Sequence, residues 1–546
     1  MPEHADVVVI GSGAGGGAVT WALAPTGKKI LLLERGDRLP REVQNWDPQA
    51  LWADKRYSNS GQWTDGADGR RFTPKQHYYV GGNTKFYGAI LYRFRERDFG
   101  AVQHVDGVSP AWPISYADLA PYYDRAEQLY QVHGNRGEDP DDPPAAGPYP
   151  WPAISDEPRI AQLRADLIGA GLHPFSLPNG ILLDEANPHL SACIRCATCD
   201  GYPCLVNAKA DAQVMTVEPA LRYPNVTLRT RARVVRLETD PSGRNVSRVV
   251  VDRDGEREEY TADVVVLAAG AINSAALLLA SADDRHPAGL GNGSGHVGRH
   301  LMLHNNSGLV AFSKTPNPTR FQKTLGVNDF YWSDPFDPDW EYPVGSIQMN
   351  GKSEAVLIGF DVPDERDPAE LARHSIDFWL TTEDLPLTEN RVTVDRDGGI
   401  RLFYRRTNAA EVARLRMRLQ GLLDSIRCEQ DVYPNRQYAG GQLGIGGVAH
   451  QNGTIRFGPD PATAPLDLDC RLHEVDNLYV ADSSFFVSST AVNPTLTIIA
   501  NALRVADTVA GRFGLSAAGA DTAVPAPRRA EPAPGAVASM GGRATG

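Results

Sequence analysis

The chain begins almost at once with "ADVVVIGSGAGGGAVTWALAPTGKKILLLERGD": a short apolar run, a glycine cluster, a helical stretch and a second apolar run ending at Glu34. This is one βαβ unit. Gly11, Gly13 and Gly16 form GxGxxG between the strand and the helix. The first glycine allows the tight turn, the second lets backbone approach a pyrophosphate, and the third permits close helix packing. The amides and dipole of that helix N-terminus receive negative charge. Glu34 ends the second strand, where a carboxylate can accept both hydroxyls of a ribose. A doubly wound α/β domain that binds a dinucleotide is the expectation, and the motif alone does not separate NAD from FAD.

At 546 residues the chain is long for one core, so several lobes are expected. A net charge of −13, without runs of Lys and Arg, argues against a nucleic-acid partner. The N-terminus has neither the basic segment nor the apolar stretch of a secretory signal. No window of about eighteen apolar residues is available to cross a bilayer. The expectation is a cytoplasmic enzyme with no membrane partner.

Residues 37–70 are rich in Trp, Asp and Gly without periodicity and read as a long surface loop. "PNVTLRTRARVVRLETD" and "SRVVVDRDGEREEYTADVVVLAAGAINSAALLLAS" read as strand, hairpin, strand and helix returning to a parallel sheet. After residue 310 the pattern changes to alternating strands, "YPVGSIQMNG", "SIDFWLTTE" and "NRVTVDRDGGIRLFYRR", closed by the amphipathic "AAEVARLRMRLQGLLDSIRC". The expected division is 1–310 for the first part of the dinucleotide domain, 311–440 for an inserted antiparallel domain, 441–515 for the return to the first domain, and 516–546 for a disordered Ala-, Pro- and Gly-rich tail.

Several further motifs occur in order: "VGGNTKFYGAILYR" at 80–93, "WPISYADLAPYYDRAE", "VVVLAAGAINSAALLL", "VGRHLMLH", "HQNGT" and "VADSSFFVSSTAVNPTLT". Taken with the N-terminal glycine motif, they resemble the glucose-methanol-choline (GMC) oxidoreductases over nearly the whole chain to about Gly514. The resemblance implies a Rossmann-like FAD-binding domain of the glutathione-reductase type, with an inserted substrate domain of antiparallel sheet plus helices. It implies oxidation of a CH–OH group by hydride transfer to FAD. The substrate would be a small-molecule alcohol, a sugar, glycoside or amino sugar by likeness to bacterial sugar oxidases, with oxygen or another electron acceptor closing the cycle.

Carried over residue by residue, the family pattern places His450 and Asn493 at the reactive edge of the flavin. Gly82, Asn83 and Thr84, with Gly81, line a loop near the ring system. Asp482 faces the ribityl or pyrophosphate portion, Asn493 and Pro494 face the pyrimidine end, and Val234 meets adenine through its backbone. A neutral imidazole suits removal of a hydroxyl proton near neutral pH, and an amide can donate to the developing alkoxide without competing for that proton. His450 is therefore assigned as base and Asn493 as the alkoxide-positioning donor. His304 is read as structural. Pro494 suits the first turn of a helix whose N-terminus favours negative charge on the cofactor. Where covalent relatives carry a flavin-linking His, this chain has Phe86, so FAD is expected to be non-covalent.

Cys193, Cys196, Cys199 and Cys204 are spaced CxxCxxCxxxxC. An iron-sulfur cluster serving a sugar dehydrogenase is one reading of that spacing. A loop of thiols packed beside the flavin domain is the preferred one, and no metal ligand is assigned. A lyase of the hydroxynitrile-lyase type, which shares the fold, is the alternative activity. Tyr331, Trp332 and Trp340 are available to stack on a sugar ring, although core packing is the ordinary use of each.

Overall fold

The computed structural model describes residues 2–313, 315–362, 366–425 and 438–517. Most of the tail expected to be disordered therefore lies outside the described residues. The first sheet is seven-stranded. Its strands β1 (Glu3–Ile10), β2 (Ile30–Leu33) and β3 (Val226–Arg229) are parallel, in the order β3-β2-β1. On the other side of β1 an antiparallel ribbon follows: β4 (Ala232–Thr239), β5 (Val246–Arg253) and β6 (Glu256–Leu267), with β6 pairing parallel to β1. Val7, Val8 and Val9 of β1 are all buried, as expected of a central parallel strand covered on both faces. Helices α1 (Ala14–Leu23) and α2 (Ala271–Ala280) start directly behind β1 and β6.

The second sheet is six-stranded. In spatial order it runs from Tyr438–Ala439 through β7 (Asn305–Phe312), β10 (Ser375–Thr382), β9 (Ser346–Met349) and β8 (Leu325–Val327) to Phe175–Ser176. Its period-two pattern divides the faces. Leu309, Ile347, Met349, Phe378 and Leu380 join an apolar core with Leu415, Leu419 and Leu423 of α3 (Ala409–Ser425). Cross-strand register puts Asn306 opposite Thr381, and Gln348 opposite Trp379, on the other face.

Two expectations need correction. The second sheet starts at Asn305 and recruits Phe175–Ser176, so the 310/311 boundary cuts a strand; the polar alternation of β7 belongs to the inserted sheet. The segment read as a loop over 37–70 contains Trp63–Asp65, which pairs with Arg71–Phe72 and, in parallel, with Ile400–Phe403. Strand partners distant in sequence supply the hydrogen bonds that local composition does not announce.

The chain then returns to the first sheet. Strand β11 (Leu478–Val480) pairs parallel to β6, and α4 (Thr495–Arg512) packs against α1. Pro494 caps α4, and Ile498 N–H donates to its carbonyl. Among the described residues no helix is long and apolar enough to cross a membrane.

Candidate active site

A cavity of about 860 Å³ runs from the glycine turn after β1 to the polar face of the second sheet. At its first end Gly11 has φ +100°, and a Cβ there would lie 2.4 Å from the carbonyl oxygen of Ala268. A Cβ on Gly16 would lie 1.9 Å from the carbonyl oxygen of Gly11, which is the close helix approach the motif calls for. At Gly13 nothing lies within 4 Å of the Cβ position, so its backbone is open to the cavity. Glu34 is buried, and burial raises its pKa. Its Oε2 accepts from Ser12 N–H (3.1 Å) and Ser12 Oγ–H (2.6 Å), and its Oε1 from Gly36 N–H (2.9 Å). One bond to Oε1 leaves it acceptor capacity for a ribose hydroxyl.

Val234 lines the same end. A register shift between Val234 and Arg236 interrupts the ladder there, which frees backbone groups as a bulge does. Asp482 also lines the cavity, but its carboxylate is engaged by its own chain: Oδ2 accepts from Gly270 N–H (2.9 Å) and Ser274 Oγ–H, and Oδ1 from Ser484 N–H (2.9 Å) and Ser484 Oγ–H. These bonds fix Asp482 in the cavity wall.

The middle of the cavity is the loop 81–86. Gly81 N–H donates to Ser12 Oγ, tying this loop to the first glycine turn. Thr84 Oγ accepts from Ala212 N–H (2.9 Å) and donates to the Gly81 carbonyl (2.5 Å). Asn83 Oδ1 accepts from His77 N–H, and Gly82 sits against Gly13, with its Cβ position 3.3 Å from the Gly13 Cα. Phe86 stacks on His77 with ring centroids 3.7 Å apart. The open backbone at Gly13, the spare capacity of Glu34 and the length of the cavity fit FAD.

At the far end Gln451–Asn452 pairs antiparallel with Met302–Leu303, in the register Leu303 opposite Gln451. That register continues to His304 opposite His450. The two rings meet edge to face, with Nδ1 to Nδ1 at 2.8 Å. His304 is fully buried, and its Nε2 lies 2.7 Å from the Ser489 carbonyl oxygen, which can only accept. Burial pushes the pKa of His304 down to about 4. A neutral His304 therefore carries its proton on Nε2 and presents a lone pair at Nδ1. His450 must donate from Nδ1, so its own lone pair is on Nε2. Asn306 Nδ2 approaches His450 Nδ1 at a longer 3.3 Å and favours the opposite tautomer, and the shorter contact to His304 dominates. Burial, then the neighbouring His304, hold His450 well below 6.5.

Asn493, Pro494 and Thr495 line the same cavity as His450. Asn493 Nδ2 donates one hydrogen to the Ile90 carbonyl at 3.3 Å, leaving a second N–H. The structure thus places His450 and Asn493 in the lining of one cavity. It adds Ser12, Asn306, Gln348, Asn350 and Trp379, which sequence reasoning did not single out, and gives His304, read as structural, a contact with His450. For Gln348 and Asn350 a signal was present: in "SIQMN" the polar residues alternate with core residues. The contact of His304 with His450 becomes visible only through strand register. Tyr331, Trp332 and Trp340 do not line this cavity.

Cys193, Cys196, Cys199 and Cys204 are half-buried free thiols, and burial pushes Cys193 up to about 12. Among the described residues no group of three or more His, Cys, Asp or Glu is placed to hold a metal ion. Their loop is tied to the flavin-side wall: Gly201 N–H donates to the Phe86 carbonyl, and Lys209 Nζ donates to the carbonyls of Cys199 and Tyr202.

Family models described as GMC oxidoreductase match residues 7–306 and 401–502. The 6'''-hydroxyparomomycin C oxidase of Streptomyces lividus is 33% identical over 532 residues, covering 93% of this chain and 92% of that protein. The paromamine 6'-oxidase of Streptomyces fradiae is 33% identical over 533 residues, covering 93% and 91%. Among solved structures, pyridoxine 4-oxidase from Mesorbium loti superposes with a TM-score of 0.63 at 18% identity, covering 92% of this chain and 99% of that one.

Proposed function

The chain belongs to the GMC oxidoreductase family, and from that premise we propose that His450 deprotonates, and Asn493 positions, the hydroxyl of an aminated sugar alcohol. The protein is an FAD-dependent enzyme that oxidises the CH–OH group of an alcohol. Bound FAD supplies the hydride acceptor, which the side chains of this chain do not. Gly11, Gly13, Gly16, Glu34 and Val234 hold the nucleotide end of the cofactor, Gly82, Asn83 and Thr84 its middle, and Asn493 and Pro494 its pyrimidine end, without a covalent bond at Phe86.

The observation that carries the mechanism is the 2.8 Å contact between His304 and His450, with His304 Nε2 bonded to Ser489. It supports a neutral His450 whose Nε2 is available for the hydroxyl proton. As His450 takes that proton, its Nδ1–H strengthens its bond to His304, so His304 is a positioning residue that also stabilises the imidazolium. The second N–H of Asn493 offers a hydrogen bond to the oxygen on which negative charge develops.

An amino sugar is favoured by the acidic groups of the cavity. Asp200 and Glu354 line it; Asp200 lies 3.4 Å from Lys323 Nζ, and the Glu354 carboxylate stands beside the Tyr202 hydroxyl. Burial raises the pKa of Glu354 to about 7, against a hydrogen bond from Tyr202 that lowers it. The neighbouring Lys352, which also lines the cavity, donates to the Asn317 carbonyl. The two Streptomyces relatives, whose names specify aminoglycoside substrates, point the same way.

The test is anaerobic mixing of the holoenzyme with paromamine and with methyl glucoside while flavin absorbance is followed. Bleaching is expected in the wild type. In His450→Ala, with FAD retained, it should slow by roughly 10²–10⁴-fold. An unchanged rate in that variant removes His450 from the mechanism, and substrate breakdown without bleaching points to the lyase.

A further inference from the structure

Gln348, Asn350 and Trp379 are placed by the second sheet at the cavity, on the face opposite its apolar core. Gln348 is only 8% exposed, yet its side-chain amide makes no hydrogen bond to any described residue. The side chains of Asn350 and Trp379 are likewise without a partner among the described residues. Asn350 and Trp379 are half-buried, and the polar atoms of all three residues are open to the cavity, where no group of the described chain competes for them. Elsewhere on the same face the polar groups are satisfied: Asn306 Oδ1 accepts from Thr381 Oγ–H, and Ser346 Oγ–H donates to Asn328.

We infer that Gln348, Asn350 and Trp379 form a recognition subsite for the hydroxylated ring of the substrate. The inference rests on the reading of the protein as a sugar-alcohol oxidoreductase and names the residues that distinguish a ring from a simple alcohol. A carboxamide offers an acceptor oxygen and two N–H donors, so it can serve a hydroxyl in both of that hydroxyl's roles. Residues two apart in an extended strand are separated by about 7 Å, a span that reaches substituents on two edges of a six-membered ring. Trp379, directly across from Gln348, adds a flat apolar face for the C–H side of such a ring and an indole N–H for one more oxygen. Ring-less alcohols leave these groups unpaired, and a site built around hydrogen bonds discriminates strongly against ligands that cannot make them.

The experiment uses the FAD-loaded enzyme, with Gln348→Leu and Asn350→Leu as variants of similar volume. Binding of paromamine and of methyl glucoside is measured by calorimetry, and anaerobic flavin reduction is measured with both and with ring-less 1,2-propanediol. Each variant should weaken ring binding, and raise KM for ring substrates, by about tenfold to a hundredfold. Reduction by 1,2-propanediol and the flavin spectrum should stay as in the wild type. Equal losses on ring and ring-less alcohols, loss of FAD from the variants, unchanged ring binding, or absence of ring binding in the wild type each overturn the subsite. If the wild type binds rings but no alcohol bleaches its flavin, the oxidoreductase mechanism fails; variant-dependent ring binding in that case still supports the subsite.

Discussion

The two ends of the cavity are finished to different degrees. At the nucleotide end the polar groups are already paired with the chain: Ser12 binds Glu34 and Gly81, and Asp482 takes four donors of its own. At the substrate end Gln348, Asn350 and Trp379 have no partner among the described residues, and His450 keeps one nitrogen free. Groups that hold a resident cofactor can also stabilise the fold before it binds. Groups that read a transient ligand do better unpaired, because any internal partner would have to be displaced. His304 lies between these regimes, fully satisfied itself and acting only through His450.

The largest effect that would sharpen this contrast is expected at His304. His304→Phe removes the acceptor for His450 Nδ1–H and lets Asn306 hold the opposite tautomer. The rate of flavin reduction should fall by about a hundredfold, with FAD content unchanged, since a wrong tautomer disables a histidine base. His304→Gln, which can still accept a hydrogen bond, should recover part of the loss; equal rates in wild type and His304→Phe would reduce His304 to packing.

A smaller effect is expected at the other end. Glu34→Gln exchanges an all-acceptor carboxylate for an amide that must aim donors at Ser12 or Gly36. FAD affinity should fall by about tenfold, and the melting temperature of the FAD-free protein should fall as well. Gln348→Leu should leave that melting temperature in place. If Glu34→Gln leaves the FAD-free protein as stable as wild type, the difference between a paired cofactor end and an unpaired substrate end is lost.

Much of the first end was legible in the sequence because its constraints are local. Gly11, Gly13 and Gly16 lie within one turn, and Glu34 closes the adjoining strand. Val234, too, could be placed by family pattern, but the bulge beside it could not, because it depends on pairing with β5. The substrate end was half legible. His450 and Asn493 came from motifs, whereas the role of His304 required the register of Met302 on Asn452 and Leu303 on Gln451, a long-range pairing that no local pattern records. Trp379 was missed for the same reason: one Trp in "SIDFWLTT" shows which face it takes only once Phe378 and Leu380 are known to face the core. The bonds from Gly270 and Ser274 that hold the Asp482 carboxylate were not legible either, since they join segments more than 200 residues apart.

The central claim is that His450 is a neutral base held in one tautomer by His304, and the pH dependence of anaerobic flavin reduction at saturating paromamine tests it most directly. A base is active when unprotonated, and a pKa lowered below 6.5 keeps His450 unprotonated as pH falls through that value. The rate in the wild type should stay level from neutral pH through 6.5 and decline only in more acidic solution. A rate that falls with an apparent pKa at or above 6.5 would contradict the claim.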